Sequence, residues 1–138
     1  MVKPIDEFAE ISTARKGTIG ELAVIQDLLP FYNVYTPVCD DKETDLLVQT
    51  KSGYDRVNVK HISVLTSKTS IHLRGVKHAE SKKIDVIAVY YKPVGIAYIP
   101  FKSMGYPKNI NLAIHTAHNN QQKDRTFFYQ FMRYPEFE

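Results

Sequence analysis

From Asp45 to His61 the chain reads DLLVQTKSGYDRVNVKH. Two short apolar runs flank a Ser-Gly pair, the pattern of an antiparallel hairpin lying on a sheet. Each run carries a charge within its apolar pattern: Asp45 opens the first, and Lys60 stands between Val59 and His61 in the second. Successive strand residues face opposite sides, so Val57, Val59 and His61 share one face and Asn58, Lys60 and Ile62 the other. A two-residue loop at Ser52-Gly53, or a four-residue loop on the same centre, sets Asp45 directly opposite Lys60 and Leu47 opposite Asn58, with paired Cβ atoms about 5 Å apart. A three-residue loop would slip this register by one. On the hairpin alone, the pair reads either as a cross-strand ion pair on a solvated face, contributing ~0–1 kcal/mol, or as part of a chemical site.

The flanking sequence predicts a helix from about Thr13 to Leu29, capped by Ser12 or Thr13, with an apolar face of Leu22, Ala23, Ile25, Leu28 and Leu29 and a stop at Pro30. Strands are expected at 32–37, 45–50, 55–63 and 71–74, then a short helix near 76–82. IDVIAVYY (84–91) is the most strand-like run, turned by KPVG into IAYIP (96–100). INLAIHT (110–116) and the aromatic TFFYQFMR (126–133) are read as further strands around a polar loop at 117–124. The order implies an α/β fold: one early helix packed on a mixed sheet, with an appended C-terminal β meander. One domain is expected over residues 1–138, with its core at about 13–100 and an elaboration at 101–138.

Glu21 is the third charge that matters. It lies among Ile19, Leu22, Ala23, Val24 and Ile25, so it either occupies the helix's exposed stripe or points at something that needs charge. Glu21 and Asp45 together suit Mg²⁺ (Mn²⁺ as a substitute), which takes oxygen ligands in an octahedron and keeps several waters. The Val59 backbone carbonyl supplies a further oxygen, Asn58 supports the site, and Lys60 is placed to orient or deprotonate a water. Desolvation would lower the lysine's pKa and a nearby carboxylate would raise it.

With these residues the chain resembles the PD-(D/E)XK nuclease superfamily, whose core runs helix, three strands, helix, strand. KGTIGE supplies the helix glutamate, TDLLV the first acid and NVK the third-strand motif, with 24 residues from Glu21 to Asp45 and 15 from Asp45 to Lys60. The likeness is greatest to group I intron-encoded homing endonucleases of this type and more distant to archaeal Holliday junction resolvases. It covers roughly residues 16–100. It implies a restriction-endonuclease-like fold and a Mg²⁺-dependent, site-specific endonuclease that hydrolyses phosphodiester bonds in double-stranded DNA. The alternatives are a structure-specific nuclease of the resolvase type and a catalytically decayed DNA-binding protein. The sequence departs from the family pattern chiefly at Asn58, where the second acid is expected, and also at Thr44, in place of a name-giving proline that is often missing in the superfamily.

Charge fits a polyanionic partner. Residues 1–50 hold 4 Lys/Arg against 9 Asp/Glu, whereas residues 51–138 hold 14 against 6. The segment 67–83 carries five of the basic residues, and Lys68, His72, Arg74, Lys77, His78, Lys82 and Lys83 are the expected DNA contacts, joined by Asn119 and Gln121 in the polar loop. The histidines of HTAHNN (115–120) read as a polar turn, not a metal site. Phe127, Tyr129 and Phe131 on one face of 126–133, with Phe128 and Met132 on the other, suggest core on one side and core or a subunit interface on the other. Cutting both strands of a duplex needs two sites, so a homodimer or homotetramer is expected. The lone Cys39 excludes an intramolecular disulfide, and no apolar run approaches the ~20 residues of a membrane span. The opening MVKPIDEFAEIS lacks the apolar stretch of a signal peptide. An intracellular setting, cytoplasmic or nucleoid-associated, is expected.

Overall fold

The computed structural model describes residues 12–39, 41–65, 67–74, 76–114 and 126–136. Helix α1 (Thr13–Leu28) begins where the Ser12 hydroxyl accepts the Arg15 N–H at 3.3 Å, and it ends just before Pro30. Gly20, Val24 and Leu28 recur every fourth residue and form its buried stripe. The chain then runs β1 (Asn33–Tyr35), β2 (Leu46–Thr50), β3 (Gly53–His61), β4 (Ser70–Leu73), α2 (His78–Ser81), β5 (Val86–Tyr91), β6 (Gly95–Ile99), β7 (Ile110–Ala113) and a 3-10 turn at Phe128–Phe131. The main sheet has the order β1-β2-β3-β5-β6, with β3 and β5 parallel and the other neighbours antiparallel. A separate antiparallel ribbon joins β4 to β7.

The sheet is covered unequally. On one face, Val24 and Leu28 of α1 pack with Leu46, Val48, Val57, Val86, Ala88 and Tyr98. On the other, Ile87, Val89, Ala97 and Ile99 pack beneath Ile71, Val76, Ala79, Leu112 and Phe128. β5 is thus buried on both sides, which explains its unbroken apolar run. The β4–β7 ribbon and α2 cover only the β5–β6 half of the second face. Over β1, β2 and the start of β3 that face stays open, with Asn33, Tyr35, Tyr54 and Arg56 exposed.

Two sequence expectations are corrected. The hairpin turns on Lys51-Ser52, and Thr50 pairs with Gly53, so Asp45 falls opposite Asn58 and not opposite Lys60. Gly53 adopts φ +143°, which glycine alone takes readily, at the entry to β3 and not at the tip of the loop. That moves the turn by one residue and the pairing by two. Among the described residues the strand expected at 126–133 is reduced to a single parallel bridge of Phe127 to Ala113. β7 pairs with β4, and Phe128–Phe131 is a 3-10 turn closed by the Gln130 side chain on the Phe127 N–H at 2.8 Å. Only Phe128 of that aromatic run is fully buried, while Tyr129 is exposed, so the segment anchors through one ring and needs no strand alternation.

Candidate active site

Gly20 decides where α1 sits. A Cβ there would lie 3.1 Å from His61 Cβ and 3.4 Å from Val59 Cγ1. Its absence lets the helix close on β3, and His61 Nδ1 fixes the contact with a 2.7 Å hydrogen bond to the Lys16 carbonyl. Glu21 is the next residue, and this approach brings its carboxyl into a hydrogen bond with that of Asp45.

Asp45 lies one residue before β2 and finishes the ladder with its side chain. Its Oδ2 accepts the Val59 N–H at 2.7 Å and Asn58 Nδ2 at 3.2 Å, and its own N–H donates to the Val57 carbonyl at 2.9 Å. A strand residue turns its N–H and C=O to the same edge, so the Val59 carbonyl also faces this end of β2. Burial pushes the Asp45 carboxyl above the usual carboxylate range, opposed by the Val59 N–H, the bond to Glu21 and the charge of Lys60. Burial pushes the Lys60 ammonium down, opposed by Asp45 and reinforced by Lys77. The structure therefore brings together Glu21, Asp45, Asn58 and Lys60, although the Asp45–Lys60 relation is diagonal and not directly cross-strand.

Asn58 is 5% exposed. Its Nδ2 donates to the Glu43 carbonyl at 2.8 Å as well as to Asp45. Both partners only accept, which fixes the amide orientation. Its Oδ1 is buried with no hydrogen-bond partner. A buried oxygen without a donor, beside two carboxyls, fits a divalent cation held by Glu21, Asp45 and Asn58 Oδ1 with waters in the remaining positions. Among the described residues no group of three His, Cys, Asp or Glu forms a metal cluster.

Glu43 is the residue that sequence reading missed. Its carbonyl holds Asn58, and its carboxylate accepts His78 Nδ1 at 2.9 Å and Ser81 Oγ at 2.5 Å, with Lys83 Nζ at 3.7 Å. The His78 bond and then the Ser81 bond hold its carboxyl below the usual range. The acidic run at 40–45 was the available signal, but it reads as a solvated loop because its partners lie some 35 residues further on. His78, expected on DNA, is instead buried inside this clamp. Of the other expected DNA contacts, Lys68, Arg74, Lys77, Lys82 and Lys83 are exposed, and His72 Nδ1 bonds Asn111 Oδ1 at 2.6 Å on the ribbon. Asn119 and Gln121 lie outside the described residues.

The PD-(D/E)XK endonuclease family model matches residues 11–133. A bacterial homing endonuclease superposes with a TM-score of 0.64 at 17% identity, covering 88% of this chain and 87% of that one. A Holliday junction resolvase from the archaeal hyperthermophile Archaeoglobus fulgidus gives a TM-score of 0.47 at 16% identity, covering 71% and 84%. Comparison with curated proteins gives no match. Among the described residues no helix is long and apolar enough to cross a membrane.

Proposed function

The chain belongs to the PD-(D/E)XK endonuclease family, and from that premise we propose that it is a Mg²⁺-dependent enzyme making site-specific cuts in double-stranded DNA, in the manner of a homing endonuclease. The observation that carries this reading is the unpartnered Asn58 Oδ1 beside the Glu21–Asp45 carboxyl pair and Lys60. Glu21, Asp45 and Asn58 Oδ1 hold the cation, and the Val59 carbonyl lies at the same edge. When bound, the ion acidifies water and offsets charge on the scissile phosphate.

The chain's own contribution is placement and proton handling. Asp45 is kept in position by the Val59 N–H and the Asn58 amide, both on Oδ2. The Glu43 carbonyl stops Asn58 from rotating, and the His78 and Ser81 bonds keep Glu43 in place. Lys60, with its pKa lowered by burial, aligns the attacking water and holds its own proton less tightly than a solvated lysine does, so more of it is free to act as a base. Lys60→Ala should slow cleavage about 10²–10⁴-fold and leave duplex binding largely intact. A Lys60→Ala protein that cuts at the wild-type rate would overturn the assignment. The described residues hold one such centre, so two copies, as a homodimer or within a homotetramer, account for cleavage of both strands. Sedimentation with and without duplex tests that arrangement.

A further inference from the structure

The face of the sheet that carries Asn58 and Lys60 does not end at the catalytic centre. Pairing arranges its side chains in rows across three strands. Asp45 faces Asn58, next come Tyr35, Leu47 and Arg56, and then Asn33, Gln49 and Tyr54. Among the described residues no element covers the two outer rows: Tyr35 is 47% and Tyr54 57% exposed, and Asn33 and Arg56 are exposed as well. The outer row is pre-ordered. Gln49 Oε1 accepts Asn33 Nδ2 at 3.1 Å and Tyr35 Oη at 3.3 Å, and the Tyr35 and Tyr54 rings meet at 6.4 Å. Both donors engage the Gln49 oxygen, which leaves its NH₂ as the donating end. On one side of this floor stands α2, which bears Lys77, Lys82 and Lys83 at its ends.

We propose that this open half-sheet is the seat of the duplex flanking the scissile phosphate, with Arg56 on the DNA backbone and the Gln49–Asn33–Tyr35 group reading base edges. The inference rests on the nuclease reading, because continuity with the catalytic row is what selects DNA as the occupant. Rows two residues apart along a strand are ~7 Å apart. Arg56 therefore stands about 7 Å from the Asn58 row, within reach of a neighbouring phosphate. The Gln49–Tyr54 row stands about 13 Å away, and at 3.4 Å per step that is roughly four base pairs from the cut. An amide fixed by its neighbours suits adenine or another base edge, whereas arginine on a phosphate positions the duplex without reading it.

The two roles separate in one experiment. Wild type, Arg56→Ala, Gln49→Ala and Tyr54→Ala are titrated onto a random 30-base-pair duplex over a salt series, then given a randomised duplex library with Mg²⁺. Arg56→Ala should weaken binding to every sequence and lower the salt slope by about 1. Gln49→Ala should leave that slope intact and flatten base preference about three to five pairs from the cut, by roughly 10–100-fold at the best site. Tyr54→Ala, an exposed ring whose loss does not threaten the fold, reads the same positions should Gln49→Ala melt early. Lys92→Ala, which removes the same charge at the β5–β6 turn, should behave as wild type. The proposal is overturned by an unchanged slope in Arg56→Ala, by an unchanged preference in both Gln49→Ala and Tyr54→Ala, or by an equal slope loss in Lys92→Ala. A wild type that binds but never cuts removes the nuclease reading while the slopes still judge this surface; one that does neither removes both.

Discussion

The two faces of one sheet treat buried polar groups in opposite ways. On the α1 side, hydroxyl and carboxylate are matched: Tyr98 Oη donates to Asp27 at 2.5 Å and Tyr134 Oη to Asp55 at 2.8 Å. Tyr134 also packs its ring against Tyr32, tilted, and against Tyr98, edge-on, with centroids 5.0 and 5.3 Å apart. Burial and then the carboxylate partner push both tyrosine hydroxyls far above their usual range, so these pairs do not exchange protons near neutral pH. On the opposite side the groups are mismatched. A lysine is partly desolvated and an amide oxygen has no donor, and at the end of the strand Asp45 meets Glu21, which reaches it from α1. Matched pairs stabilise the fold, whereas the mismatched set has its missing partner in a cation and a substrate.

Asn58→Asp tests this contrast most severely. A carboxylate at 58 would face the Glu43 carbonyl and Asp45 Oδ2, both acceptors, in a site that is 5% exposed. Without metal it should destabilise the protein by about 3 kcal/mol. Added Mg²⁺ should restore part of the loss, because a ligand that binds only the folded state stabilises it. Urea melts with EDTA and with Mg²⁺ measure both; metal-free stability equal to wild type would show that Asn58 is not tuned to its acceptors. Next in size is the matched side. Tyr134→Phe strands the half-buried Asp55 and should cost about 2 kcal/mol, with cleavage unchanged under conditions where the protein is folded. A loss of cleavage without a loss of stability would erase the distinction between the faces.

Gly20→Ala should reverse that pattern. A helix-interior alanine adds up to ~1 kcal/mol over glycine, but its Cβ meets His61 Cβ at 3.1 Å. The helix must shift to make room, and Glu21 shifts with it. Stability should stay within about 1 kcal/mol of wild type, while the Mg²⁺ concentration for half-maximal cleavage rises about tenfold. Metal titration of the cleavage rate checks it, and an unchanged midpoint would separate the helix approach from the metal site.

Much of this contrast was legible before the structure. The 3.6-residue period placed α1 within one residue, and the alternation in RVNVKHI correctly put Asn58 and Lys60 on one face, away from Val57, Val59 and His61. The register was not legible, because Ser-Gly looks like the loop itself when Gly53 is in fact the first residue of β3. The aromatic run 126–133 looked like a strand because both faces were apolar, but one buried ring and a glutamine side chain decided its conformation. The Glu43 clamp was hidden for a different reason. It pairs a loop with a four-residue helix whose sequence gives no periodic signal, and its contact spans 35 residues. Local patterns survive folding well; long-range polar contacts have no local pattern to carry them.

The smallest expected effect bears most directly on the mismatch. Burial raises the folded-state pKa of Asp45, so its charge opposes folding. Well below the unfolded-state pKa of about 4, both states hold the proton and there is no penalty. As pH rises past that value the unfolded chain ionises first, and the penalty grows until the folded carboxyl has ionised too. Above the folded-state pKa it is present in full. Asp45→Asn removes the titration and can still accept the Val59 N–H, so in EDTA it should match wild type near pH 3 and melt a few degrees higher at pH 7. Mg²⁺ at pH 7 should invert the order, raising the wild-type Tm and leaving Asp45→Asn where it was. If Asp45→Asn is instead less stable at every pH, then Asp45 acts as a structural acceptor, and the open face of the sheet follows the same rule as the closed one.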